Sequence, residues 1–181
     1  MPIDSKKVKG FTLIELMMTL AIAAILVSLA APSFTDTIKN NRLTTQYNEL
    51  VTQLTLARSE AIKRNTEIIV LNNDGNESNW HKGWVIFEDT NDDDTVDAGE
   101  TIKVSDTVDS NITISYNNGK QISYLASGLG NNAGTFTICD DRGAQEAKAL
   151  IINITGRIRS ATDSNSDGIV EGGNSNNVSC P

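Results

Sequence analysis

Hydrophobic and polar positions divide the chain into three regimes. From Phe11 to Ala31 the residues are apolar or small almost without a break, and Glu15 carries the one charge. Coiled as a helix, at ~1.5 Å per residue, this run is ~30 Å long, the thickness of a bilayer's hydrocarbon core. Beyond Pro32 the pattern becomes a helical stripe. Leu43, Tyr47, Leu50, Leu54, Ala57 and Ala61 recur at alternating spacings of four and three, while Arg42, Gln46, Glu49, Gln53, Glu60 and Lys63 lie mostly off it. The pattern predicts an amphipathic helix over 33–65 that lays its stripe on a domain of its own chain. From Glu67 onward strand-like runs take over: 67–71, 83–87, 101–104, 112–116, 121–124, 135–139 and 149–154, separated by Asn/Gly/Asp turns. One long helix packed on an antiparallel sheet is the expected layer arrangement, an α+β fold with a head over 66–160. Residues 161–181 lose apolar pattern and read as a polar tail.

Composition changes this picture in two respects. A formal charge of −8 disfavours nucleic acid unless a local basic patch exists. Two cysteines, Cys139 and Cys180, stand far apart without CxxC spacing. In an oxidising compartment the simplest reading is one structural disulfide tying the tail to the strand of Cys139; the alternative is two reduced thiols.

The charges before the apolar run give it a direction. Lys6, Lys7 and Lys9 outweigh Asp4, which keeps residues 1–10 cytoplasmic and sends everything after the run across the membrane. A cleavable secretory signal would need a shorter apolar region and a small-x-small site behind it, and Pro32 adjoins the one candidate. Neither a signal nor a plain anchor explains Glu15, since a carboxylate in lipid costs about 3 kcal/mol or more and calls for a partner.

The run Lys9-Gly10-Phe11-Thr12-Leu13-Ile14-Glu15 resembles the leader junction of type IV pilins and type II secretion pseudopilins. The resemblance implies that a prepilin peptidase removes residues 1–10 after Gly10 and methylates Phe11. It implies that Glu15 meets the N-terminal amine of a neighbouring subunit, which would also offset the burial of its charge. Residues 11–32 are then a transmembrane assembly helix, and Pro32 resembles the family's helix-kinking proline.

Four head segments narrow the resemblance: Leu56-Ala-Arg-Ser-Glu-Ala-Ile-Lys-Arg64, Gly83-Trp84-Val-Ile-Phe87, Ile138-Cys139-Asp140-Asp-Arg142-Gly143 and Thr155-Gly156-Arg157-Ile158-Arg159. Together they are similar to the FimT/GspH-like minor pilins. That likeness implies a pilin fold and a filament shared with other pilins or pseudopilins. The subunit would sit in the bacterial inner membrane with its head in the periplasm, acting in initiation or tip assembly of a type II secretion pseudopilus or a type IV pilus.

Two candidate chemistries remain. Arg157 and Arg159 alternate on a strand end and share a face, with Lys148 and Arg142 expected nearby, and paired guanidiniums can grip phosphates. The FimT branch of DNA-uptake pilins uses a Gly-Arg-x-Arg motif of this form on double-stranded DNA, which makes DNA capture the alternative function; the bland reading is a solvated strand edge. Second, Asp89, Asn91, Asp93, Thr95 and Glu100 fall at calcium-loop spacing, with Asp94 where the sharp turn calls for glycine. A companion stretch, Asp163–Glu171, has that glycine, Gly168, but carries Asn174 at the twelfth position. Solvated turns and calcium loops are both open readings. Catalysis is not indicated: His81 is the only histidine, Trp80, Trp84 and Phe87 read as head aromatics, and Gly128–Gly134 lacks phosphate-loop spacing.

Overall fold

The structure is a computed structural model that describes residues 10–91 and 93–181, and for residues 29–33 the backbone alone. The basic leader up to Lys9 and the side chain of Pro32 therefore lie outside the described residues. The chain separates into two compact units, Met1–Asn40 and Asn41–Pro181. One helix, α1 (Leu13–Arg64), contributes to both and is assigned as helical through position 32. It stops where Asn65 takes a left-handed φ of 57°, so that the Thr66 amide reaches back to the Ala61 carbonyl at 3.2 Å. That is a Schellman-type closure, with Lys63 and Arg64 favourably placed at the negative end of the helix dipole.

Among the described residues nine strands form the head, all pairs antiparallel, and they make two sheets rather than one. The first has five strands in the order β3 (Thr101–Ser105), β2 (Trp84–Phe87), β1 (Ile68–Asn72), β5 (Gln121–Tyr124), β6 (Gly130–Asn131). The second has four in the order β4 (Thr113–Tyr116), β7 (Gly134–Cys139), β8 (Lys148–Ile152), β9 (Ile158–Ser160). Both bury one face in a single core around the stripe Leu43, Leu50, Leu54, Ala57 and Ala61. Trp80, on a short 3-10 turn (Trp80–Lys82), joins the sheets: its ring lies 6.4 Å from Trp84 and 4.8 Å from Phe136, edge-on to the latter.

Two polar side chains of α1 fasten it to this core. The buried Gln53 accepts the Trp84 indole N–H at 2.8 Å and donates to Ser105 at 3.3 Å, tying the helix to β2 and β3. Arg58 donates to the Gly128 carbonyl at 2.9 Å and to the Thr155 carbonyl at 3.1 Å, holding the loop after β5 and the turn before β9. That turn requires glycine at position 156. Its φ is +70°, and a Cβ there would stand 2.1 Å from the Gly128 oxygen.

The C-terminal segment corrects the expectation of a patternless tail. Ala161 and Val178, with Ile169, Val170 and Cys180 beside them, pack on Cys139, Ala147, Ala149 and Ile151, covering the outer face of the second sheet. The Ala161 amide donates to Ala149, Gly173 to the Thr135 hydroxyl, and Cys180 is disulfide-bonded to Cys139 across 41 residues of sequence. Closing a loop of that length restricts the unfolded chain by about 4 kcal/mol. The Cys139→Ala/Cys180→Ala variant should lose close to that amount in urea unfolding, and an unchanged midpoint would rule out a stabilising role. Arg58→Ala removes two charge-assisted bonds and should cost roughly 1.5–3 kcal/mol in the same assay.

Candidate functional site

The start of α1 explains how Glu15 is held. Thr12 sits at the N-cap and Glu15 three residues on. The Glu15 amide donates to the Thr12 hydroxyl at 3.3 Å, and the Thr12 amide donates to Glu15 Oε2 at 3.4 Å. This is a capping box, and its Thr-x-x-Glu signal lies in the sequence beside the processing motif. Gly10 and Phe11, flanking the expected cleavage point, are exposed. The large apolar residues from Phe11 to Val27 are exposed as well, between 56% and 83%. Thr19 and Ser28 turn their hydroxyls back onto the carbonyls of Leu16 and Ile25, so these side chains find hydrogen bonds within their own helix. Among the described residues no helix segment is long and apolar enough to cross a membrane.

Arg157 and Arg159 lie at the edge of the second sheet. Ile151 pairs with Arg159 and Ile152 with Ile158, so the arginines share the outer face with Ile151 while Ile158 turns toward the core. Both arginines are exposed. The other two cations do not join them. Arg142 is engaged with Asp140 at 2.7 Å and Glu146 at 3.6 Å, and Lys148 pairs with Ile138, which puts it on the opposite face.

The two acidic stretches are closed by their own hydrogen bonds. In the first, Asp89 accepts the amides of Asp93 and Asp94, Asp93 accepts from Thr95, and the buried Glu100 accepts Thr90 at 2.9 Å and Asp97 at 3.1 Å. Asp94 takes a φ of 56°, the conformation that glycine would supply there. In the second, Asp163 accepts Ser166 and Gly168, and the buried Glu171, not Asn174, closes the loop by accepting Ser164 at 2.8 Å and Asn165 at 3.3 Å. Asn91, whose amide nitrogen donates to Asp93 and Asp97, also belongs to the first network. Among the described residues no group of His, Cys, Asp or Glu is arranged to hold a metal ion.

These bonds move the carboxyl equilibria. The Thr90 hydroxyl holds the Glu100 carboxyl below its ordinary range, Thr95 does the same for Asp93, and Asn177 for Asp167. A lowered folded-state value stabilises the fold above the ordinary carboxylate range, and that gain disappears as pH falls through the lowered value. Urea stability should therefore decline on acidification, and Glu100→Gln should be less stable at neutral pH with a shallower decline. A Glu100→Gln profile superimposable on the parent would refute this role.

Known proteins share the arrangement. The fold is similar to the type IV minor pilin FimU of Pseudomonas aeruginosa (strain PAO1) in two crystal forms. One has a TM-score of 0.56 at 21% identity, covering 66% of this chain and 92% of that one. The other has 0.55 at 23%, covering 68% and 91%. The minor pseudopilin EpsH from the type 2 secretion system of Vibrio cholerae aligns at 0.49 and 15%, over 66% of this chain and 95% of its own. No curated protein sequence matches the chain. Residues 5–31 match the prokaryotic N-terminal methylation motif, around the capped helix start. Residues 46–156 match the type II transport protein GspH, a span that takes in the stripe of α1 from Tyr47 onward and most of both sheets. The chain therefore belongs to the GspH family, the minor pilins and pseudopilins of type IV filament systems.

Proposed function

We propose that this subunit enters the bacterial inner membrane through residues 11–32, loses residues 1–10 to a prepilin peptidase, and is methylated on Phe11. Its head lies in the periplasm, and it acts as a structural, non-catalytic subunit at the initiation or tip of a type II secretion pseudopilus or a type IV pilus. The observation that carries this reading is the apolar surface of the N-terminal half of α1. It is exposed from Phe11 to Val27, under a methylation motif, while the head has a closed core of its own. Water does not tolerate such a surface, so lipid covers it before assembly and neighbouring helices cover it afterwards.

Within that surface, Glu15 is the residue assigned to pair with the amine of an adjacent subunit. Two substitutions separate this role from its capping role. Glu15→Leu should insert into the membrane and fail to enter filaments. Glu15→Gln keeps a side chain able to complete the capping box but lacks the charge, and it too should fail. Membrane fractionation and immunoblotting of sheared filaments measure both steps. Normal incorporation of Glu15→Gln would show that the cap, not the charge, is what assembly needs.

A further inference from the structure

The second sheet ends in an open edge. Among the described residues β9 pairs only with β8, and beside it a groove against the helix is lined by Tyr47, Val51, Arg58, Arg157, Ile158 and Arg159. The backbone register settles which groups face the groove. Asn153 donates to the Arg157 carbonyl and Ala161 to the Ala149 carbonyl, so residues 157, 159 and 161 turn their amides and carbonyls toward β8. The amides and carbonyls of Ile158 and Ser160 then face outward, the arrangement that accepts an added strand.

The side chains along this edge alternate in character. Ile158 turns inward against the core, and Arg157 and Arg159 turn outward and are exposed. Arg58 already donates to two carbonyls of its own chain. For Arg157 and Arg159, by contrast, no acidic partner is present among the described residues, in a chain that has 23 acidic side chains against 15 basic ones. Both therefore remain available to acidic groups from outside the chain.

We propose that this groove docks an extended protein segment of alternating acidic and apolar residues, which adds to β9 as a fifth strand of the second sheet. Main-chain bonds to Ile158 and Ser160 hold it, its apolar side chains lie over Tyr47 and Val51, and its carboxylates meet Arg157 and Arg159. A strand uses every feature of the site. Duplex DNA would use only the guanidiniums and leave the outward amides and carbonyls and the apolar lining without a partner.

The test uses the full chain in detergent micelles and a fluorescein-labelled Glu-Val-Glu-Val-Glu-Val peptide, read by anisotropy. Saturable, salt-sensitive binding is expected, weakened at least about tenfold by Arg157→Ala/Arg159→Ala. The peptide N-methylated on its backbone and the Lys-Val counterpart should not bind. Both arginines are exposed, so the variant should keep the parent's melting temperature, which is measured alongside. No binding by the acidic peptide overturns the proposal. Equal binding by the N-methylated peptide, or by one with its three glutamates contiguous, overturns strand addition. A duplex oligonucleotide that binds more tightly than the peptide, and through the same arginines, assigns the edge to nucleic acid instead.

Discussion

The second half of α1 must bury its apolar stripe, and the whole head is arranged around that requirement. Leu43, Leu50, Leu54, Ala57 and Ala61 have no solvent exposure. A fully buried leucine contributes about 1.5–3 kcal/mol, so three of them rival the net stability of a typical domain, about 5–15 kcal/mol. The first sheet supplies Ile68, Ile86 and Ile122 to this core and the second supplies Ile114, Phe136 and Leu150, all against the same helix. Neither sheet has a comparable core without it. Burial of the stripe sets the azimuth only broadly, and Gln53 and Arg58 fix it. Five residues apart, they project roughly 140° from one another around the helix, one to each side of the stripe. Gln53 reaches β2 and β3, and Arg58 reaches the loop after β5 and the turn before β9. Rotating the helix would break one clamp or the other.

The outer faces of the sheets are closed by smaller devices. Ile69, Val85 and Phe87, with Leu71, make a cluster on the first sheet, and the C-terminal segment covers the second. Each arrangement adjoins an acidic loop gathered on one buried glutamate, Glu100 or Glu171, whose two oxygens take backbone amides. An acidic chain thereby satisfies many carboxylates with its own N–H groups, which keeps the loops compact where cationic partners are few. The bonds from Thr90 and Asp97 keep the Glu100 carboxyl ionised more readily, so its loop adds to acid sensitivity as well as to order.

The helix was legible because its two periods are strong: an unbroken apolar run, then a four-three stripe from Leu43 to Ala61. Most strands were legible to within a residue or two, since their apolar runs are flanked by turn residues. What escaped was whatever depends on contacts distant in sequence. The division into two sheets is decided by which edges the Trp80 aromatic cluster and α1 bring together, and no local pattern carries that. β6, two residues long, and the packed tail failed for a related reason. Ala161, Ile169, Val170 and Val178 are too widely spaced to make a period, and they gain a face only once Cys180 is bonded to Cys139. Gln53 looked like a surface residue because its polarity was read without the Trp84 indole it serves. At Glu171 the calcium-loop template misled, since the template waits for a carboxylate at Asn174. The glycine of Gly-Arg-x-Arg was legible as part of a motif, but its physical reason, the approach of the Gly128 carbonyl, lies 28 residues away in sequence.

Under the proposed assembly role, Glu15 would join two demands in one side chain. Its bonds to Thr12 are long, 3.3 to 3.5 Å, outside the range of strong hydrogen bonds. They are enough to satisfy the carboxylate within its own first turn, which lowers the cost of carrying it in an apolar segment. They are weak enough to exchange. An ammonium–carboxylate contact is roughly twice as strong as a neutral bond when it forms at close range. Under the proposed cleavage after Gly10, a free amine lies four residues from this carboxylate along each chain. A neighbour's amine that reached Glu15 would replace poor bonds with a better one while Thr12 kept its hydroxyl on the Glu15 amide. On the proposed assembly role, the capping box would hold the carboxylate in place without committing it, and the helix start would survive the exchange.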